Sequence, residues 1–85
     1  MGGELEILKK KLLYRASYRG TKEMDILLSG FVKKNIDSFN QDQLNQLDKF
    51  LDFEDEVISN YYYRDIVDKN IDKNTISKIF KKYTI

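Results

Sequence analysis

The chain contains no cysteine, no histidine, no proline and no tryptophan in 85 residues. The first two absences each remove a class of function. Without cysteine there is no disulfide framework and no thiolate metal site. Without histidine, the commonest general base and the commonest metal ligand go together. No apolar run approaches the ~20 residues a helix needs to cross a bilayer, and the start lacks the pattern of a signal peptide. Met1-Gly2-Gly3 opens like a myristoylation signal, but Glu6 stands where that signal takes Ser or Thr. A strong charge of one sign is missing too. With a net charge of +1, no broad field draws the chain to nucleic acid or to a membrane surface. The expected setting is a reducing, soluble compartment such as the cytoplasm.

What is present suits a small globular domain. Charged residues make up 34% and apolar residues 41% of the chain, a balance found in folded domains rather than disordered tails. The length allows one modest core, so residues 1–85 are read as a single helical domain. Lysines fall in short runs at Lys9 to Lys11, Lys33-Lys34 and Lys81-Lys82. These runs read as solvated helix faces and ends.

Every clear apolar pattern has a helical period, and none alternates as a strand does. Leu5, Leu8, Leu12 and Ala16 mark a first helix from about Glu4 to Tyr18. Gly20 ends it, read as a glycine in the left-handed conformation that closes helices. Met24, Leu27, Leu28, Phe31 and Val32 mark a second, from Thr21 or Lys22 to Lys34, followed by a connection from Asn35 to Phe39. Asn40 and Gln43 have the spacing of a capping box, with Phe39 and Leu44 at the staple positions around it. Leu44, Leu47, Phe50 and Leu51 then face the core. After an acidic break from Asp52 to Glu56, a fourth helix carries Val57, Ile58, Tyr61 and Tyr62. A fifth starts near Asp72, with Ile71 and Ile76 as its staple, and carries Ile76, Ile79, Phe80 and Tyr83. Helices this short are marginal alone. The expected architecture is all-α, a compact bundle of about five short helices.

The break between the first two helices carries unusual chemistry. At 100° per residue, Arg15 and Arg19 fall within the arc of Leu8, Leu12 and Ala16. Three readings of these arginines stand side by side. Their stems can cover the core edge while the charged heads reach water. Arg19 can satisfy the last carbonyls of the first helix. Or they belong to a docking surface. Glu23 likewise has a bland role, since a carboxylate complements the start of a helix, and it can pair with Arg19 across Gly20. Taken together, an arginine fork, bare glycine backbone and a carboxylate make a surface able to dock a polar backbone with defined orientation. Tyr14 and Tyr18 lie beside it, and tyrosine and arginine dominate interface hot spots.

Leu12-Leu13-Tyr14-Arg15, then Arg19-Gly20-Thr21-Lys22-Glu23-Met24-Asp25-Ile26-Leu27-Leu28 and Phe31, resemble the succinate dehydrogenase assembly factor 2 family, the SdhE proteins of bacteria. Its signature is Arg-Gly-x-x-Glu with a hydrophobic residue, Asp and a leucine-rich helix following. The likeness covers residues 7–65. Thr21, Ser17, Tyr18, Glu56 and Tyr61 depart from the usual pattern, while Arg19, Gly20 and Glu23 match it. The resemblance implies a small helical chaperone, not an enzyme. It implies a partner, the flavoprotein subunit of succinate dehydrogenase, whose covalent FAD attachment the chaperone promotes. The flavin bond forms on a histidine of that partner, and FAD is not stably held by the chaperone. A related fumarate reductase flavoprotein is a second candidate client, and a monomer is the expected state. The resemblance assigns Arg19, Gly20 and Glu23 to partner binding, with Arg15, Asp25 and Tyr14 in support.

Other sites are weaker. The Asp52–Glu56 acids lack the spacing and glycine of a calcium loop and read as acids at a helix start. Glu23 and Asp25 point to different sides of a helix, so they make a poor acid–base pair. Tyr61-Tyr62-Tyr63 spread over about 200° on a helix, so one is core, one half-exposed, and no flat stacking platform forms. The alternative to an assembly factor is a generic helical adaptor or a small regulatory nucleic-acid binder. The lack of a basic stripe counts against the latter.

Overall fold

The apolar periodicity and the helix-start signals map onto five α-helices: α1 Gly2–Ser17, α2 Lys22–Asn35, α3 Gln41–Phe50, α4 Asp55–Arg64 and α5 Thr75–Lys82. The structure, a computed structural model, describes residues 2–84. Short 3-10 turns at Ile36–Ser38 and Ile71–Lys73 join α2 to α3 and α4 to α5, and no strand occurs among the described residues. Met1 of the Met1-Gly2-Gly3 motif lies outside them.

Helix starts follow side-chain chemistry. Thr21 caps α2, its Oγ1 accepting the Met24 N–H at 3.2 Å. Asn40 caps α3 through a complete capping box. Its side chain accepts the Gln43 N–H, and Gln43 Oε1 accepts the Asn40 N–H, both at 2.9 Å. Asn74, not Asp72, caps α5, with its Oδ1 accepting the Ile76 N–H at 2.8 Å. The Asn74 side-chain amide also donates to the Gln46 carbonyl at 2.9 Å, tying α5 to α3. Ile71 and Ile76 are therefore not staple partners, although both are fully buried. An asparagine both caps the helix and reaches α3, which an aspartate at Asp72 does not.

All five helices feed one core. At its centre Phe31 lies against Phe80 (ring centroids 5.1 Å apart), Tyr83 (5.5 Å), Phe39 (6.4 Å) and Phe50 (6.4 Å). Tyr83 can approach α2 because residue 30 is glycine. A Cβ there would sit 2.6 Å from the Tyr83 hydroxyl. The tyrosine run behaves as its angular spread requires: Tyr61 is buried, Tyr62 half-buried and Tyr63 exposed. Burial, then the neighbouring Tyr63 and Tyr83, raise the Tyr62 pKa above its ordinary value.

The end of α4 is closed by a lysine. Lys81 of α5 donates to the Tyr61 carbonyl and, at 3.1 Å, to the Tyr62 carbonyl, and it pairs with Asp65. These are carbonyls that a helix end leaves without partners. Asp65 itself takes a left-handed conformation, φ 57°, which ends the helix without glycine.

Two substitutions test this packing. Phe31→Ala is expected to lower unfolding free energy by about 3–5 kcal/mol, enough to abolish most of the stability of a domain this size. Ser77 is fully buried and its hydroxyl has no hydrogen-bond partner among the described residues. Ser77→Ala is expected to raise stability by about 1 kcal/mol, since a stranded hydroxyl carries a desolvation penalty. Urea unfolding followed by circular dichroism measures both.

Candidate functional site

The turn between α1 and α2 is tied down from several sides. Ser17 Oγ donates back to the Leu13 carbonyl at 2.8 Å as α1 ends. The Arg19 backbone N–H donates to Asp25 Oδ1, so the first turn of α2 holds the incoming chain. The Asp25 N–H in turn donates to the Thr21 carbonyl at 3.0 Å.

The Arg19 side chain runs inward, and only 11% of it is exposed. Its Nε donates to Asp55 Oδ1 at 2.7 Å. One terminal nitrogen donates to the Leu51 carbonyl at 2.8 Å and the other to the Phe53 carbonyl at 2.7 Å. The second oxygen of Asp55 accepts the Gly20 N–H at 2.8 Å. Asp55 is the first residue of α4, where the helix dipole also favours its charge. One carboxylate thus joins the α1–α2 turn to the α3–α4 corner.

This geometry corrects several expectations. Gly20 does not close α1 in a left-handed conformation; no glycine among the described residues has positive φ. It is glycine because a Cβ would lie 2.9 Å from Asp55 Oδ2, closer than carbon and oxygen pack. Its N–H is already used and is not offered to a partner. Arg19 neither pairs with Glu23 nor caps α1; it serves the Leu51 and Phe53 carbonyls in the corner between α3 and α4. Arg15 does not simply snorkel. It donates to the Asp48 carboxylate, to the Asp48 carbonyl at 3.0 Å and to the Asp52 carboxylate. The two arginines, one turn apart on the chain, both grip the corner after α3.

Glu23 is the motif residue left facing out. It lines a groove of about 390 Å³ with Thr21, Met24, Asp55, Glu56, Ser59 and Tyr63. Glu23 and Glu56 are exposed and make no ion pair among the described residues. Tyr14 is not part of the groove. It is 65% exposed on α1, with its ring 4.4 Å from that of Tyr18. Asp55 and Tyr63 belong to the acidic cluster and the tyrosine run that sequence reasoning sets aside, and Ser59 carries no signal at all. The one available signal was that an arginine on an apolar stripe needs buried acceptors, but Asp55 lies 36 positions away. No group of three or more carboxylates able to hold a metal ion occurs among the described residues. None of their helices is long and apolar enough to cross a membrane.

A family model described as the flavinator of succinate dehydrogenase, Sdh5, matches residues 10–83. The chain belongs to this family. It is 42% identical over 62 residues to the mitochondrial succinate dehydrogenase assembly factor 2 of Meyerozyma guilliermondii, covering 73% of this chain and 44% of that protein. It is 33% identical over 55 residues to the FAD assembly factor SdhE of Acetobacter pasteurianus, covering 65% and 50%. To the mitochondrial succinate dehydrogenase assembly factor 2-B of Drosophila willistoni it is 49% identical over 47 residues, covering 55% and 30%. The match thus spans half or less of the length of each of these relatives. No solved structure matches the chain. The family signature falls on the turn just described, split between an inward-facing brace (Arg19, Gly20) and an outward-facing carboxylate (Glu23).

The brace can be tested by a double-mutant cycle. Arg19→Ala is expected to cost about 2–3 kcal/mol, since it removes hydrogen bonds made by a charged group. Gly20→Ala is expected to cost about 1–3 kcal/mol through crowding of Asp55. In an Asp55→Ala background the cost of Gly20→Ala should largely vanish, because contacting residues couple. Full additivity would show that the Cβ–carboxylate contact is not the reason for glycine.

Proposed function

We propose that this chain is an assembly factor that binds the flavoprotein subunit of succinate dehydrogenase and promotes covalent attachment of FAD to it. The observation that supports this most is where the family signature lies. It falls on a turn braced from within, which presents Glu23 at the mouth of a groove on rigid helices. A docking surface needs such preorganisation, because ordering a loop on binding weakens association. The chain itself, with no histidine or cysteine, has neither of the usual side chains that carry a flavin. The bond-forming chemistry then belongs to flavin and partner. The chaperone's part is to hold the partner in the conformation where flavin and acceptor histidine meet in near-attack geometry. A fumarate reductase flavoprotein is a second client in this reading, and the chain acts as a monomer. The acidic groove disfavours a nucleic-acid role, since it would repel phosphate.

The test is covalent flavin on the flavoprotein subunit, read by fluorescence after denaturing electrophoresis. Glu23→Gln is expected to reduce flavin yield on the order of tenfold, the effect of losing a contact worth over 1 kcal/mol, with melting temperature unchanged. Arg19→Ala is expected to lower yield and melting temperature together. An unchanged yield with Glu23→Gln refutes the role of this face. Failure of the wild-type chain to bind the flavoprotein or to raise its flavin content refutes the function.

A further inference from the structure

The groove does not end with the motif. Its far wall is α4, with Glu56, Ser59 and Tyr63, and beyond α4 the exposed surface turns apolar. Tyr63 is 58% exposed, Ile66 46% and Val67 52%. The Tyr63 ring stands edge-on to Tyr62, with centroids 4.8 Å apart and planes at 90°. The Tyr63 ring is thus packed on one side by a half-buried neighbour. The backbone that follows is anchored: the Ile66 N–H donates to the Asn60 carbonyl at 3.1 Å, and Asp65 pairs with Lys81.

Charge says what fits there. The groove lining holds three carboxylates and no lysine or arginine. Asp55 is neutralised by Arg19 and the Gly20 N–H, which leaves Glu23 and Glu56 uncompensated in a chain whose net charge is +1. Helix dipoles account for an acid in the first turn of α2 and of α4. They do not account for the exposed Tyr63 in the same lining, or for the exposed Ile66 and Val67 that follow it in the chain, where water contact is costly. The groove volume is within the range of sites that take up a ligand side chain or small molecule. Its floor includes the nearly buried Met24. An anionic groove walled by a tyrosine, with exposed aliphatic residues next along the chain, complements a basic side chain flanked by apolar ones.

We propose that the α2–α4 groove receives an arginine or lysine side chain of the flavoprotein partner, and that Tyr63, Ile66 and Val67 cover the apolar residues next to it. The inference rests on the assembly-factor reading and extends it to α4 and the loop after it, outside the Arg19–Glu23 motif. Glu23 and Glu56 supply the charge. Arg19 is a positioning residue, and by occupying Asp55 it keeps its own positive charge out of the groove.

The experiment measures binding of the full chain to the isolated flavoprotein subunit by calorimetry across a series of sodium chloride concentrations. Glu56→Gln is expected to weaken binding about tenfold at low salt and to flatten the salt dependence, and Glu56→Lys to weaken it further. Tyr63→Ser, and independently Ile66→Ser/Val67→Ser, are expected to weaken binding about tenfold with the salt dependence unchanged. All four sites are exposed, and melting temperatures confirm that each variant is folded. If Glu56→Gln and both apolar variants bind as the wild type does while Glu23→Gln still loses flavin yield, the α4 surface is not the interface and the assembly-factor reading survives. Absence of wild-type binding sinks both. Wild-type self-association in sedimentation, lost in these variants, would seat a second copy in the groove and overturn the proposal.

Discussion

The Arg19–Asp55 contact is the point through which the α1–α2 turn and the α3–α4 corner are joined. Helix α3 ends at Phe50, and the chain turns a corner before α4 begins at Asp55. The guanidinium fork takes two acceptors in that corner, the carbonyls of Leu51 and Phe53, while Asp55 balances its charge. Taking an arginine almost wholly out of water is costly unless its charge is paired and its donors are used. Here Nε and both terminal nitrogens donate to the protein. Removing either member of the pair therefore strands the other, and the corner loses its register with the α1–α2 turn. Arg15 repeats the arrangement one turn earlier with Asp48 and Asp52.

That constraint explains the shape of the candidate site. Asp55 cannot serve Arg19 and Gly20 together unless residue 20 lacks a side chain. Gly20 lets α4 start beside the turn, and that placement creates the groove between Glu23 and Tyr63. Arg19 and Gly20 shape this surface through the fold, whereas Glu23 is part of the surface itself. Rigid elements supply both walls of the groove, which limits the ordering cost of docking.

The opposite end of the bundle uses the same device with other residues. Lys81 reaches from α5 to the last carbonyls of α4 and to Asp65, fixing where the chain leaves the helix. The chain leaving α4 at Asp65 and Ile66 is positioned by this second clasp, as the α1–α2 turn before Glu23 is positioned by the first. A small domain with a modest core gains definition from such charged ties at its corners, where apolar packing runs out.

Much of the fold was legible in the chain alone. Leu12 and Ala16, then Met24, Leu27, Leu28, Phe31 and Val32, declare their helices because a 3.6-residue period puts them on one face, and each is buried. Asn40 and Gln43 announce the start of α3 because capping is a contact between near neighbours. The missing histidine and cysteine narrowed the chemistry for the same local reason: composition needs no structure. Where α5 begins was misread, since Asn74 is chosen over Asp72 partly by its bond to Gln46 on α3. The direction of Arg19, the reason for Gly20, the partners of Arg15 and the groove all belong to the tertiary structure. The arginine contacts alone span 32 to 37 positions, a separation at which no spacing in the sequence carries a signal. Periodicity placed the arginines on an apolar stripe, and only the arrival of the α3–α4 corner decided that they face inward and leave Glu23 to face out.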